Sequence, residues 1–182
     1  MTRHIPALLI GFRALAALAV LPLGQLAEGT ALAALILLAT LSGIFDGIIA
    51  RRAGVSTIAL RRADSIVDLV FWLCAAAALC LLRPGAMAVN APVLALAIGA
   101  EILLQGISLF RFGRLTATHA RSAKFFGLCL LAGFMMLALG GNAAIAFWIV
   151  GTGTAISALD GLAMLLLLQQ WEADIPSAWA AW

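Results

Sequence analysis

Long apolar runs, interrupted by proline, glycine or asparagine, fill most of the chain. A helix needs about 20 apolar residues to cross a bilayer, and the runs lack the short alternating pattern of barrel strands. Only helices and closed barrels satisfy their backbone hydrogen bonds in lipid. The pattern therefore predicts an all-α, polytopic integral membrane protein with six transmembrane helices, at Pro6–Leu26, Gly29–Arg51, Asp64–Leu82, Pro92–Phe110, Lys124–Leu139 and Ala143–Trp171.

Composition supports a membrane protein over a soluble one. Hydrophobic residues make up 65% of the 182 residues, against about 45–50% in soluble domains. The length favours one domain, which we expect to span residues 1–182. The first run has no credible cleavage site and is interpreted as a retained helix. The three cysteines lie inside apolar runs without metal-ligand spacing and are interpreted as packing residues.

Basic residues predict the orientation, because short cytoplasmic loops collect Lys and Arg. Arg3 precedes the first run, four arginines lie between the second and third, and four basic residues lie between the fourth and fifth, whereas the other connections hold only Arg83. This alternation predicts that both termini are cytoplasmic, in what we expect to be a bacterial inner (cytoplasmic) membrane. The charges lie at helix ends, so no nucleic-acid partner is expected.

Three aspartates within the second and third runs are the candidate reactive groups. Asp64 and Asp68 are four residues apart and share one helix face, and Asp46 can face them if the two helices pack side by side. Three carboxylates in a low dielectric repel one another, so a counter-charge is required. Nearby arginines could supply part of it, but Mg²⁺ or Mn²⁺ suits carboxylate oxygens better.

Other polar residues in or beside the apolar runs have more than one interpretation. Arg13 either extends towards the interface or pairs with a carboxylate. Glu101 and Asp160 are functional candidates, or they form helix–helix hydrogen bonds, or Asp160 pairs with Arg13. A basic loop that includes His119 either contacts anionic lipids or binds a donor phosphate or charged acceptor; its candidate residues are Arg111, Arg114, Arg121 and Lys124.

The stretch from Gly43 to Asp68 resembles the signature of the CDP-alcohol phosphatidyltransferase family, which is D-x2-D-G-x2-A-R-x8-G-x3-D-x3-D. This chain has Gly43-x2-Asp46-Gly47-x2-Ala50-Arg51-x8-Leu60-x3-Asp64-x3-Asp68. The six-helix layout is also similar to the family over the whole length. Two positions depart from the signature: Gly43 replaces its first aspartate, and Leu60 replaces its second glycine.

The resemblance implies transfer of a phosphatidyl group from a CDP-linked lipid, such as CDP-diacylglycerol, to an alcohol acceptor with release of CMP. It assigns Asp46, Asp64 and Asp68 to Mg²⁺ or Mn²⁺, and Asp68 also to general-base catalysis. Gly47, Ala50 and Arg51 match nucleotide-binding positions. The resemblance places the active site at the cytoplasmic face among membrane lipids, and it also implies a homodimer.

Gly43 leaves three carboxylates where the signature has four, which keeps a second function open. The chain could be a catalytically impaired or inactive homologue that acts as a binding or scaffold protein in the membrane. A transporter that binds an ion at the aspartates is a third alternative, although the paired broken helices of such proteins are not evident.

Overall fold

The computed structural model describes residues 4–55, 57–114, 121–171, 175 and 177–181, with the backbone alone at 51, 58, 59, 61, 62, 180 and 181. Every regular element in these ranges is a helix: α1 (Ile5–Gln25), α2 (Gly29–Arg52), α3 (Ile58–Leu82), α4 (Pro84–Val89), α5 (Ala91–Phe112), α6 (Arg121–Ala138), α7 (Ala143–Leu167) and α8 (Ala178–Ala181). Among the described residues, six helices are long and apolar enough to cross a membrane. The all-α prediction with six spans is confirmed.

The connection between α2 and α3 is short and well defined at both ends. Gly54 has a φ of +65°, and the Val55 amide donates to the Ala50 carbonyl over 3.1 Å, which is the Schellman ending of a helix. Thr57 then caps α3, accepting from the Leu60 amide over 3.1 Å. Helix α3 therefore begins well before Asp64, the predicted start of the span, and Leu60 lies in its first turn.

The described chain divides into two compact units, and the first comprises residues 1–88 and 134–141. Within it, α1 has a buried stripe at helical spacing that consists mainly of small or apolar residues: Pro6, Ile10, Arg13, Ala16, Ala17, Val20 and Gly24. Arg13 is the one charged member. Because the stripe follows the helical repeat, Arg13 points into the unit together with its apolar neighbours.

Helices α2 and α3 carry comparable stripes that also include charged residues. On α2 the buried positions include Ile36, Ala39, Ser42, Asp46 and Ala50, and on α3 the row of Asp64 and Asp68 continues into buried Phe71, Ala75 and Ala78. Helix α1 packs extensively against both α2 and α3, whereas those two contact each other sparsely. The expected side-by-side packing of the second and third spans is therefore limited, and α1 links them.

The second unit comprises residues 89–133 and 142–182 and includes most of α5 to α8. Helix α5 ends at Gly113, which has a left-handed φ of +66°, and Asn142 caps α7 by accepting from the Ile145 amide over 3.2 Å. Asp160 on α7 accepts from the Ser122 hydroxyl on α6 over 2.6 Å and from the Ala178 amide over 3.0 Å. These bonds join three helices inside this unit.

Close approach of α1 to α3 depends on Gly24, so we expect Gly24→Ala to destabilise the protein. A Cβ there would lie 2.8 Å from the Ala78 Cα and 2.9 Å from its carbonyl carbon, and overpacking of this kind costs about 1–3 kcal/mol. Gly11→Ala is the matched control on the same helix, since its Cβ would meet nothing within 4 Å. Thermal unfolding in detergent should show a lower Tm for Gly24→Ala alone. Equal Tm values for the two variants would contradict the packing described.

Candidate functional site

The three aspartates of the candidate site converge on one side chain, the guanidinium of Arg13. Its Nη2 lies 2.6 Å from Asp46 Oδ2, and its Nη1 lies 2.8 Å from Asp64 Oδ1 and also contacts Asp68 Oδ1. Arg13 comes from α1, Asp46 from α2, and the other two aspartates from α3. Of the two interpretations of Arg13, the structure therefore shows the one in which it pairs with a carboxylate.

A fourth contact fixes the other edge of the guanidinium. Arg13 Nε donates to the Ser42 hydroxyl oxygen over 3.5 Å, and that hydroxyl donates to the Ala39 carbonyl over 2.7 Å. Arg13 thus uses Nε, Nη1 and Nη2 together, as its rigid planar fork of five N–H donors allows. We define Arg13, Asp46, Asp64 and Asp68 as the Arg13 cluster.

Exposure increases across the Arg13 cluster from one side to the other. The side chains of Arg13 and Asp46 are 1% and 3% exposed, whereas those of Asp64 and Asp68 are 26% and 46% exposed. The guanidinium is therefore buried beneath the carboxylates and has almost no contact with solvent. A ligand that approaches the open side meets Asp68 first, which makes Asp68 the carboxylate best placed to accept a proton.

Gly43 is the reason that the guanidinium fits. A Cβ at this position would lie 2.8 Å from Arg13 Cζ and 3.2 Å from Nη1, and closer still to Nη2. Apart from atoms of its own residue, its chain neighbours and the nearby backbone of its own helix, a real Cβ essentially never has a heavy atom within 3.0 Å. Any side chain at 43, including the aspartate of the signature, therefore requires Arg13 to move.

The divalent cation expected from the sequence does not fit between the carboxylates in this arrangement. Mg²⁺ binds oxygen at about 2.0–2.1 Å, and one oxygen of each of Asp46, Asp64 and Asp68 already accepts a hydrogen bond from a guanidinium nitrogen. Within the described ranges, no group of three His, Cys, Asp or Glu side chains is arranged to hold a metal ion. The counter-charge in this structure is an arginine.

The residues expected at the nucleotide site lie next to the Arg13 cluster on α2. Gly47 follows Asp46 and is half-buried, and Ala50 lies one turn further on and is buried. The Arg51 side chain lies outside the described residues. Leu60 is half-buried in the first turn of α3, and its amide is already used by Thr57.

The basic loop candidates belong to the second unit. Arg111 donates to the carbonyl oxygens of Leu165 and Leu166, and the Arg114 guanidinium carbon lies 5.0 Å from the centre of the Trp171 ring. Arg121 and Lys124 are exposed at the start of α6. His119 lies outside the described residues. These contacts give Arg111 and Arg114 structural partners and leave their proposed phosphate role a prediction.

Both intramembrane acids outside the signature have helix partners in the second unit. Asp160 forms the helix–helix hydrogen bond to Ser122, and the Gln105 amide donates to Glu101 over 2.7 Å. The residue that the sequence did not place in the site is Arg13. The signal that could have found it is its position on the small-residue face of the first apolar run.

Loss of the Arg13 guanidinium should destabilise the folded protein strongly. Arg13→Gln would leave Asp46 buried without its cation, and removing one partner of a buried ion pair costs about 3–5 kcal/mol. Arg13→Lys should cost less than Arg13→Gln, because lysine keeps a positive charge beside Asp46. It should still cost some stability, since an ammonium is a point charge that reaches fewer of the three carboxylates. Thermal unfolding in detergent with EDTA present measures both.

Arg83→Gln is the control for loss of a less central arginine, since Arg83 makes a 3.4 Å hydrogen bond to the Gly141 carbonyl. A Tm for Arg13→Gln that equals the Tm of Arg83→Gln would contradict the role of the guanidinium as the counter-charge.

A comparison with protein families gives one match, and its extent decides the family. The model of the CDP-alcohol phosphatidyltransferase family matches residues 3–169, which includes the whole stretch from Gly43 to Asp68. No curated protein and no solved structure matches the chain. Members of this family are phosphotransferases that use CDP-alcohol substrates and an alcohol acceptor, and they generally depend on a divalent metal. The match covers nearly the whole chain, and the chain belongs to the CDP-alcohol phosphatidyltransferase family.

Proposed function

We propose that this protein transfers a phosphatidyl group from a CDP-linked lipid, with CDP-diacylglycerol as the donor class, to an alcohol and releases CMP. The observation that carries the proposal is the convergence of Asp46, Asp64 and Asp68 from two helices. These are the three acidic positions of the family signature that the chain retains. All three contact one side chain, that of Arg13, and this favours a preserved reaction site over three unrelated membrane acids.

Asp68 is the residue proposed to accept the proton of the acceptor hydroxyl. As the alcohol oxygen attacks phosphorus, a new P–O bond forms, the bond to CMP breaks, and the hydroxyl proton passes to the Asp68 carboxylate. Asp68 suits this role because it is the most exposed of the three carboxylates, at 46%. Arg13, behind it, holds the carboxylate in place and is too buried to touch the substrate.

The nucleotide is proposed to bind along α2 beside the Arg13 cluster. Half-buried Gly47 lets a ligand approach the helix backbone. Arg51, Arg52, Arg61 and Arg62 flank the short connection between α2 and α3, and their positive charge favours a diphosphate there. Arg111, Arg114, Arg121 and Lys124 stay proposed contacts for phosphate or a charged acceptor.

The setting of the reaction completes the proposal. We infer one membrane-embedded domain over residues 1–182, with the site at the cytoplasmic face of a bacterial inner membrane. A lipid donor and a water-soluble acceptor can meet at that interface. The distribution of basic residues supports the orientation. A homodimer is proposed from the family resemblance alone.

The test is CMP release from CDP-diacylglycerol by the purified full chain, with a panel of acceptors that includes glycerol phosphate, inositol phosphate, serine and phosphatidylglycerol. We expect release with one acceptor class, and we expect Asp68→Asn to reduce it at least about 100-fold, the lower range for loss of a general base. Glu101→Gln is the matched control, because it neutralises an exposed intramembrane acid outside the signature. Undiminished turnover in Asp68→Asn would exclude Asp68 as the base.

A second function is favoured by one specific observation, the Arg13 guanidinium at Gly43. An arginine held by all three carboxylates is the arrangement expected if the chain kept the fold as a binding or scaffold protein and lost catalysis. In that case a folded protein would release no CMP with any acceptor, with Mg²⁺ or with EDTA. Turnover in either condition would exclude this alternative.

A further inference from the structure

We propose that Arg13 is the resident cation of the Asp46, Asp64 and Asp68 carboxylates, in the place where a divalent metal would otherwise bind, and that Gly43 is the residue that admits it. The proposal deepens the proposed function and rests on it for the identity of the site. It concerns which cation the carboxylates hold, which can be measured without turnover.

Geometry provides the first argument. The guanidinium reaches an oxygen of each carboxylate, with separations of 2.6 Å to Asp46 and 2.8 Å to Asp64 and a further contact to Asp68. A metal ion shared by these oxygens would have to occupy the space that the guanidinium fills. The Arg13 side chain is 1% exposed, so the guanidinium itself is closed off from solvent.

Complementarity with Gly43 provides the second argument. The signature has an aspartate at this position, which would add a fourth carboxylate one turn before Asp46. Gly43 has neither that carboxylate nor a Cβ, and the Arg13 guanidinium lies where a Cβ would be. A glycine at this position thus provides no metal ligand and leaves room for a cation that is covalently part of the chain.

Support by Ser42 provides the third argument. The Ser42 hydroxyl accepts from Arg13 Nε and donates to the Ala39 carbonyl. A guanidinium held only by its attraction to the carboxylates would not need a hydrogen-bond partner for Nε. Here each of its three nitrogens has an oxygen partner, which satisfies a buried charged group on every side.

The net charge of the Arg13 cluster affects how a diphosphate can bind beside it. One guanidinium offsets one of three carboxylates, so the Arg13 cluster keeps a formal charge of −2 if all three are ionised, directed towards the partly exposed Asp64 and Asp68. A diphosphate that approaches this side needs positive charge from elsewhere on the chain. Because Arg13 takes the place of the metal in this proposal, any transfer reaction at this site should not depend on Mg²⁺ held among the three carboxylates.

The experiment counts Mn²⁺ ions bound by the purified full chain, measured from the loss of the free-ion signal in electron paramagnetic resonance. The deciding quantity is the number of Mn²⁺ ions bound by the wild type minus the number bound by Asp64→Asn. This subtraction cancels any ion that is bound elsewhere on the protein. We expect no difference. A difference of one ion or more would overturn the proposal, because the wild-type carboxylates would then hold a metal beside or instead of Arg13.

Removal of the arginine gives the complementary result. We expect Arg13→Gln to bind about one Mn²⁺ that the wild type does not bind. The double variant Arg13→Gln/Asp64→Asn should not bind this ion. Mg²⁺ should raise the Tm of Arg13→Gln by several degrees over EDTA, since a ligand that binds only the folded state stabilises it. Arg83→Gln, the control, should behave like the wild type. A folded Arg13→Gln that gains no Mn²⁺ would also overturn the proposal.

Failure here and failure of the proposed function are distinguishable. If the wild type shows turnover and also binds an Mn²⁺ ion that Asp64→Asn does not bind, the transferase function is retained and Arg13 is excluded as the resident cation. Absence of turnover together with absence of Asp64-dependent Mn²⁺ would leave Arg13 in its role and favour the non-catalytic alternative. If Arg13→Gln does not fold, the comparison of wild type with Asp64→Asn still decides.

Discussion

A buried arginine bound by three carboxylates is the interaction on which the first unit depends. Arg13 and Asp46 are almost fully buried, and taking such charges out of water costs several kcal/mol each unless they meet good partners. Here the partners come from α1, α2 and α3, so the arrangement exists only when all three helices are in place. The same contact that compensates for desolvation therefore also fixes the helices relative to one another within this unit.

The position of α1 explains why one side chain can hold acids from two helices that barely meet. Gly24 lets the α1 backbone approach α3, and the small residues Ala16 and Ala17 continue the buried face towards Arg13. Small residues are how membrane helices achieve close packing, since lipid provides no hydrophobic force between them. The Arg13 cluster forms at the end of that close-packed seam.

Position 43, where this chain has glycine and the family signature has aspartate, connects packing to function. In the family signature this position is acidic, and a divalent metal is the general requirement of the family. In this chain the glycine and the arginine depend on each other, because any Cβ at 43 would collide with the guanidinium. The arrangement of the Arg13 cluster thus depends on the absence of a side chain at one position, and Asp68 is the most exposed of its three carboxylates.

Hydrophobic pattern alone determined the six helices, because a bilayer forces any long apolar run to satisfy its own backbone hydrogen bonds. Local spacing also determined that Asp64 and Asp68 share a face, since four residues make about one helical turn. Hydropathy located the third span, which begins at Ala63, but not the start of α3 at Ile58, because a threonine cap decides where that helix begins. The sequence likewise left more than one interpretation for Arg13 and for Asp160.

Tertiary structure decided which cation the aspartates hold. The sequence showed that three carboxylates need a counter-charge, but Arg13 is 33 residues before Asp46 and 55 before Asp68, and no periodicity relates residues so far apart. Their meeting depends on α1 packing against both α2 and α3, which is a property of three-dimensional packing. The space at Gly43 became meaningful only when the structure showed a guanidinium within it.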